Sequence, residues 1–177
     1  MLEHIRKRQS DRAYLDKDVE QEKLDRIAEA GRLAPSACNS QPWKFIFVND
    51  PVIRKKVAAA CSSKELGFNK FIDQPPILLA IIRKKPKIIS RIGGSIKDKN
   101  YSLIDIGTAA ENICLQAVAE GLGTCILGWF DEKELKKVLD VPGNKRIELV
   151  ITIGYASKAQ REKHRKDPSE VISYNKY

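Results

Sequence analysis

The sequence is poor in the side chains that support acid–base and metal chemistry. Its 177 residues include only two histidines, His4 and His164. Two histidines provide little basis for a Ser-His-Asp triad or a histidine-based metal site. The four cysteines are widely separated, and none forms a C-x-x-C pair or lies near a histidine at zinc-ligand spacing. We therefore expect reduced, unpaired thiols, no metal site and no catalysis by polar side chains.

Long apolar runs are also missing. No segment approaches the roughly 18 to 20 apolar residues that cross a bilayer, and the N-terminus lacks the apolar core of a secretory signal. These absences predict a cytoplasmic chain without a membrane partner. A length of 177 residues, 42% of them hydrophobic, suits one globular core, so residues 1–177 are predicted to form a single domain.

Positive charge is in excess. Thirty-two Lys and Arg residues against 23 Asp and Glu residues give a net charge of +9, which favours anionic partners such as phosphate esters, dinucleotides or nucleic acid. A nucleic-acid partner is not expected, because no predicted helix concentrates Lys and Arg with base-reading residues and only 7% of residues are aromatic. Charge alone does not separate the other partners from a solvated basic surface.

Helices and strands interleave along the chain. The patterns predict helices over 19–34, 52–62, 102–121 and 131–139, and strands over 44–48, 77–82, 124–128 and 146–155. Capping boxes at Asp18, Ser102 and Asp131 mark three of the helix starts. The stretch from Arg83 to Tyr101 combines many Lys and Arg residues with proline and glycine, and it is predicted to be a surface connection. Helices are therefore expected to pack around one sheet.

The segment Arg8-Gln9-Ser10-Asp11-Arg12 places two arginines and a serine at every second residue. If the chain is extended there, these three side chains point to one side. Arginine offers bidentate hydrogen bonds to phosphate oxygens, and serine adds a hydroxyl donor. The segment suits one bound phosphate, although basic clusters of this kind, taken alone, are more often a solvated surface.

Two further segments carry candidate binding residues. The loop from Pro35 to Trp43 places small polar side chains between two prolines, where they could bind a planar ligand or form an ordinary turn. Near the C-terminus, Lys163 and Arg165 repeat the i, i+2 spacing and could meet the same anion as Arg8. The tail beyond them is too apolar for a purely solvated end, so it is predicted to pack on another surface.

These segments, in this order, resemble the nitroreductase family of FMN-dependent NAD(P)H oxidoreductases over nearly the whole chain. Arg8 to Arg12 resembles the family's opening phosphate motif, and Pro35 to Trp43 resembles its Pro-Ser-x-x-Asn-x-Gln-Pro-Trp loop. Lys163-His164-Arg165 is similar to its closing Lys-x-Arg. Asp105-Ile106-Gly107 resembles the start of the family's central dimer helix, and Leu127 to Phe130 resembles the segment over the flavin.

The resemblance implies an α+β nitroreductase-like fold, with a mixed central sheet flanked by helices, in an intertwined homodimer that binds FMN at the subunit interface. The tail, about 156–177, would embrace the partner subunit. The cofactor-binding residues that the resemblance implies are Arg8, Gln9, Ser10, Arg12, Pro35, Ser36, Ala37, Asn39, Gln41, Asn69, Leu127, Gly128, Lys163 and Arg165. Of these, Pro35, Ser36, Ala37 and Asn39 would come from the second subunit, and Asn69 would touch the ribityl chain.

The implied chemistry is ping-pong: NADH or NADPH reduces bound flavin and leaves, and a small-molecule acceptor such as a nitroaromatic or quinone takes its place. No side chain is implied as catalytic, because the flavin carries the reaction. A dehalogenating or flavin-modifying activity on the same fold, or a non-catalytic FMN-binding protein, remains an alternative. Gln9 stands where the family often has a basic residue, and the short stretch from Arg83 to Tyr101 implies an open flavin.

Overall fold

The computed structural model describes residues 1–63, 67–85 and 99–177. Within these ranges the helices are α1 (Leu2–Lys7), α2 (Gln21–Arg32), a 3-10 turn at Ala37–Asn39, α3 (Pro51–Cys61), α4 (Tyr101–Ala119), α5 (Glu132–Val138) and α6 (Pro168–Val171). The strands are β1 (Trp43–Val48), β2 (Ile77–Arg83), β3 (Gly123–Leu127) and β4 (Arg146–Gly154). Each predicted helix and strand is confirmed, whereas α1 and α6 were not predicted. Most of the predicted connection from Arg83 to Tyr101, and with it the expected openness of the flavin, lies outside the described residues.

The four strands form one sheet in the order β1-β2-β4-β3, and each neighbouring pair is antiparallel. In the part of the chain that the structure describes, the one parallel pairing is an isolated bridge between Ser10 and Thr124. The mixed character expected of the sheet is therefore confined to this bridge. Because β3 lies at one edge, the segment around Ser10 can pair with its outer side.

Helices cover both faces of the sheet. Successive residues of a strand point to opposite faces, so β2 contributes to two cores. Leu78 packs in one core with Val57 of α3 and Leu135 of α5. Leu79 packs in the other with Ile113 of α4. Burial on both faces explains why β2 is a continuous apolar run rather than an alternating one.

Helix α4 presents two apolar sides. The residues predicted to form its buried side are buried: Ile106, Ala110, Ile113 and Ala117. On another side, Leu103 and Ile104 are 44% and 59% exposed.

Among the described residues, no helix is long and apolar enough to span a bilayer.

Two of the three predicted capping boxes are wrong. Helix α2 starts without a side-chain cap, so the box predicted at Asp18 does not form. Helix α4 begins after Asn100, which places Asp105 inside the helix and buried. Asp131 does cap α5, where its Oδ1 accepts from the Glu134 N–H at 3.0 Å. The Asp105 carboxylate is therefore left to bind a different part of the chain.

The cysteines are free, as predicted, with Cys38 exposed and the other three buried. Burial raises the pKa of the Cys61 thiol to about 12 and that of the Cys114 thiol to about 11. These two side chains therefore stay protonated near neutral pH and act as small apolar packing residues.

Gly154 ends β4 at a close approach to Pro76 and Tyr14, and we expect Gly154→Ala to destabilise the fold. An added Cβ would lie 2.6 Å from Pro76 Cδ and 3.1 Å from Tyr14 Cδ1. A proline ring cannot rotate away, so the free energy of unfolding should fall by about 1–3 kcal/mol in urea denaturation. The control Gly143→Ala, where a Cβ meets no atom within 4 Å, should change it by less than about 0.5 kcal/mol. Equal losses in both variants would contradict this packing argument.

Candidate functional site

The N-terminal segment, residues 8–12, runs along the start of β3. Ser10 forms the parallel bridge with Thr124, and the Asp11 N–H donates to the Thr124 carbonyl oxygen at 2.8 Å. The buried Tyr14 hydroxyl donates to the Asp11 carbonyl oxygen at 2.9 Å. The backbone is therefore extended and fixed, which is the condition under which alternate side chains share one side.

The C-terminal tail returns to helix α1, just before this segment. Gln160 Nε2 donates to the Arg6 carbonyl oxygen at 2.7 Å. Lys163 Nζ donates to the Ile5 carbonyl oxygen, also at 2.7 Å. Parts of the chain separated by more than 150 residues in sequence thus meet at one edge of the sheet.

A cleft of about 580 Å³ lies between the N-terminal segment and the tail. It is lined by Arg8, Gln9, Ser10, Arg12, Arg161, Glu162, Lys163, His164 and Arg165. The five residues predicted to hold a phosphate, three from one segment and two from the other, therefore lie together. Five permanent cations face one glutamate across this cleft.

Arg161 is a residue of the cleft that the sequence prediction missed. Its backbone N–H donates to the Gln9 side-chain oxygen at 2.9 Å, and its guanidinium donates to the Ser10 carbonyl oxygen at 2.7 Å. The signal was present, because Arg161 extends the alternation of Lys163 and Arg165 by one step. The Lys-x-Arg motif includes only the last two of these three cations.

The cations of the cleft repel one another. Burial lowers the pKa of Lys163 from its usual value, and the positive charges of Arg8 and Arg165 lower it further. Arg8 has an acidic neighbour in Glu111, whose Oε1 lies 3.7 Å from Arg8 Nε. An anion that binds among these cations reduces their mutual repulsion, so the charges favour anion binding. The cleft therefore has the charge and the guanidinium donors that suit an anion such as a phosphate.

The loop before β1 has an unusual backbone. Cys38, Asn39 and Gln41 have φ values of 52°, 48° and 46°. This is the left-handed region, which residues other than glycine adopt at a cost in free energy. The Gln41 N–H donates to Ser36 Oγ and the Gln41 side-chain amide donates to Asn39 Oδ1, each at 2.9 Å. The loop is thus tightly constrained rather than a single ordinary turn.

Asp105 of α4 holds the same loop. Its Oδ1 accepts from the Ala37 N–H at 3.0 Å, and the residue is 5% exposed. Its Oδ2 is buried and has no hydrogen-bond partner within the described ranges. The predicted capping role is therefore wrong for a clear reason: the carboxylate faces the loop and not the first N–H groups of its own helix.

Some predicted site residues lie away from the cleft of their own chain. The residues lining the cleft do not include Pro35, Ser36, Ala37, Asn39, Gln41, Asn69, Leu127 or Gly128. A single chain therefore assembles the predicted phosphate-binding part, and the contribution of the loop to another subunit's site stays a prediction.

Asn69 links two other elements. It adopts a left-handed conformation with φ of 54°. Its Nδ2 donates to the carbonyl oxygens of Cys61 at 2.8 Å and Trp129 at 3.3 Å. Asn69 thereby ties the end of α3 to the segment after β3, and a ribityl contact stays a prediction.

Strand β3 runs from the cleft to the segment predicted to lie over a flavin. Leu127 ends the strand and is buried, and Gly128 follows it. Trp129 is 41% exposed and packs on Phe68 with ring centroids 5.3 Å apart. Gly128 lies four positions after Thr124, which corresponds to about 13 Å at the usual rise of a strand. A ligand held in the cleft would have to extend this far along the sheet to reach Gly128.

We expect inorganic phosphate to stabilise the ligand-free protein by binding in the cleft. An anion that binds only the folded state adds about 2.7 kcal/mol to the free energy of unfolding at 100 times its Kd. The double variant Arg8→Gln/Arg165→Gln should lose most of this gain, because two guanidinium contacts to the anion are removed. Urea denaturation with phosphate replacing chloride at constant ionic strength measures it.

The control for this experiment is Arg32→Gln, an exposed arginine on α2 that pairs with Glu29. It removes the same chemical group far from the cleft in sequence and should keep the full gain. Equal stabilisation of the native protein and the double variant would contradict an anion site here.

The model of the nitroreductase family matches residues 5–66 and 58–155 of this chain. A relative from Archaeoglobus fulgidus, named as an NADH dehydrogenase/NAD(P)H nitroreductase, is 31% identical over 158 residues. That match covers 87% of this chain and 84% of the relative. Sequence similarity therefore extends across most of both proteins.

Solved structures show the same fold. The FMN-dependent nitroreductase from Clostridium difficile R20291 is 28% identical, with a TM-score of 0.79 and coverage of 100% of both chains. A nitroreductase family protein from Clostridium novyi NT is 29% identical, with a TM-score of 0.78, and the match covers 88% of this chain and 84% of that one. These matches confirm the predicted α+β nitroreductase-like fold. The chain belongs to the nitroreductase family.

Proposed function

We propose that this protein is an FMN-dependent NAD(P)H oxidoreductase that delivers electrons to an organic acceptor such as a nitroaromatic or a quinone. The observation that carries the proposal is the cleft in which the N-terminal segment and the tail bring five cations together. Family membership and the names of similar proteins support the same cofactor and the same electron donor.

The cleft fits the phosphate of FMN in charge and in donor chemistry. Arg8, Arg12 and Arg165 offer guanidinium groups, Lys163 offers an ammonium group and Ser10 offers a hydroxyl. A phosphate monoester carries about −1.5 to −2 charges near neutral pH. Burial and, after it, repulsion by Arg8 and Arg165 lower the pKa of Lys163, and such a group relieves that repulsion. We assign these five residues to the FMN phosphate.

Bound FMN supplies the capacity to accept a hydride and to pass electrons on. The chain's own residues bind and orient the cofactor and place hydrogen-bond donors where negative charge develops. Cations and N–H groups serve this purpose without a general base, which agrees with a sequence that contains only His4 and His164. We assign no side chain as a catalytic residue.

We assign the flavin ring to the constrained loop of a second subunit and to Leu127 and Gly128. The loop residues do not line the cleft of their own chain, and Pro35, Asn39 and Gln41 are exposed, so a partner can reach them. Asp105 and the left-handed backbone fix the loop before a ligand binds, and this lowers the cost of ordering it on binding. In this assignment Asn69, which stands beside Trp129, contacts the ribityl chain.

Exposed apolar side chains support a homodimer. On α4, Leu103 and Ile104 are 44% and 59% exposed, and in the tail Val171 and Tyr174 are 63% and 85% exposed. Grouped apolar surface of this kind is typical of an interface. We propose that α4 packs on its partner and that the tail, 156–177, embraces it.

The whole chain acts as one domain in this proposal. Residues near its start and near its end line one cleft, and both cores share one sheet. A cytoplasmic location, and the lack of nucleic-acid and membrane partners, remain predictions from the sequence.

Anaerobic titration tests the proposed function. The purified protein should be yellow, NADH or NADPH should bleach the flavin absorbance, and a nitroaromatic or a quinone should restore it. In Arg8→Gln/Arg165→Gln we expect FMN to bind at least about 100-fold more weakly while riboflavin binds as in the native protein, because two charge-assisted hydrogen bonds are lost.

A colourless protein that cannot be reconstituted with FMN would overturn the proposal. Bound flavin that neither coenzyme reduces would instead identify a non-catalytic FMN-binding protein. Arg32→Gln again serves as the control for loss of one positive charge.

The dimer is tested by Ile104→Glu, which would place a charge in the proposed interface. We expect this variant to be monomeric at concentrations where the native protein is dimeric, and to lose FMN together with the partner's loop. Size-exclusion chromatography with light scattering measures the mass, and absorbance measures the flavin content.

The matched control for that variant is Val52→Glu on α3, where the side chain is 64% exposed. It should remain a yellow dimer. An Ile104→Glu protein with native mass and native flavin content would show that α4 does not form the interface.

A further inference from the structure

Gln9 connects the N-terminal segment to the tail with both ends of its side chain. Its Nε2 donates to Asp11 Oδ1 at 2.8 Å, and its Oε1 accepts from the Arg161 N–H at 2.9 Å. A primary amide is both donor and acceptor, so it can serve a carboxylate on one side and an N–H group on the other. A lysine or arginine here could serve Asp11 but could not accept from Arg161.

The Asp11 end of this connection is anchored in the sheet. The Asp11 N–H donates to the Thr124 carbonyl oxygen at 2.8 Å. Its carboxylate packs against the start of β3, where a Cβ added to Gly123 would lie 2.5 Å from Asp11 Oδ2. Burial raises the pKa of Asp11, and the hydrogen bond from Gln9 lowers it in opposition. Gln9 thus contributes to keeping this half-buried carboxylate charged.

The Arg161 end of the connection holds a tail with little burial of its own. From residue 157 onward the tail is exposed, with only Lys163 partly buried. Apolar packing within its own chain therefore does not fix its position. The other contacts of Gln160, Arg161 and Lys163, with α1 and with the N-terminal segment, run through long, flexible side chains. The bond to Gln9 is different, because it holds the tail by its backbone two residues before Lys163.

We propose that Gln9 is a positioning residue for the cofactor site: its amide fixes the tail backbone at residue 161 and thereby places Lys163 and Arg165 for the FMN phosphate. The inference rests on the proposed function and deepens it. Gln9 replaces the basic residue that is common at this place in the family with a residue that organises the other cations. It acts on the phosphate through Lys163 and Arg165 and not by a charge of its own.

The first test compares flavins with and without a phosphate. In Gln9→Met, which keeps the length of the side chain and removes both hydrogen bonds, we expect the Kd for FMN to rise about tenfold. The Kd for riboflavin should change by less than about twofold, because only the phosphate contacts are affected. The control is Gln21→Met, since Gln21 makes the same amide–carboxylate contact, to Asp25 at 2.8 Å, on an exposed helix.

A second measurement separates positioning from general structural damage. When Lys163→Met and Arg165→Met are already present, adding Gln9→Met should weaken FMN binding by less than about twofold, since the residues it positions are gone. A full tenfold loss in that background, or equal losses for FMN and riboflavin in the single variant, would overturn the inference.

A third measurement needs no flavin. Trypsin cleaves after Lys and Arg, and the tail offers Arg161, Lys163, Arg165 and Lys166. In the ligand-free protein we expect Gln9→Met to be cleaved in the tail several-fold faster than the native protein and Gln21→Met, because local opening is easier. Equal cleavage rates would overturn the inference. A native protein that binds neither flavin would defeat the proposed function, and the trypsin comparison would still decide whether Gln9 holds the tail.

Discussion

The pairing of the N-terminal segment with Thr124 is the contact on which the site depends. Strand β3 is fixed by its ladder with β4 and by Cys125 and Leu127, which pack in the core shared with α3 and α5. Ser10 forms a parallel bridge with the outer edge of β3, and this bridge holds the backbone of the N-terminal segment in place. The charged side chains of this segment therefore project from a fixed, extended backbone and not from a mobile one. The tail is almost entirely exposed, and Arg161 holds it to the same segment through hydrogen bonds with Gln9 and Ser10.

A second constraint lies in the loop before β1. Three residues in the left-handed region and a half-satisfied carboxylate on Asp105 are unfavourable features taken singly. They persist because hydrogen bonds from Ala37 and within the loop over-determine its shape. Such local conflict with ordinary backbone preferences is characteristic of functional segments. The loop has the rigidity expected of a surface that receives a flat ligand.

Much of the fold and part of the site follow from the sequence. Periodicity located the four strands and the main helices, because burial of apolar faces dictates that pattern. The matching spacing of the two segments suggested that Arg8 and Lys163 meet, and family resemblance implied it, but no local rule links residues so far apart. The roles of Asp105 and Gln9 were beyond the sequence: each depends on which N–H group happens to lie within 3 Å of its oxygen in the folded chain.

The union of distant segments in one cleft has a consequence for biosynthesis. Residues 9 and 161 are separated by 152 positions in the chain. At ribosomal speeds of about 5–20 residues per second, roughly 8 to 30 s pass between the synthesis of the first half of the cleft and the second. Strands β3 and β4 are also made late in that interval, and the cleft needs residues 161–165. Binding in the cleft is therefore a late event in biosynthesis, and it cannot guide the earlier steps of folding.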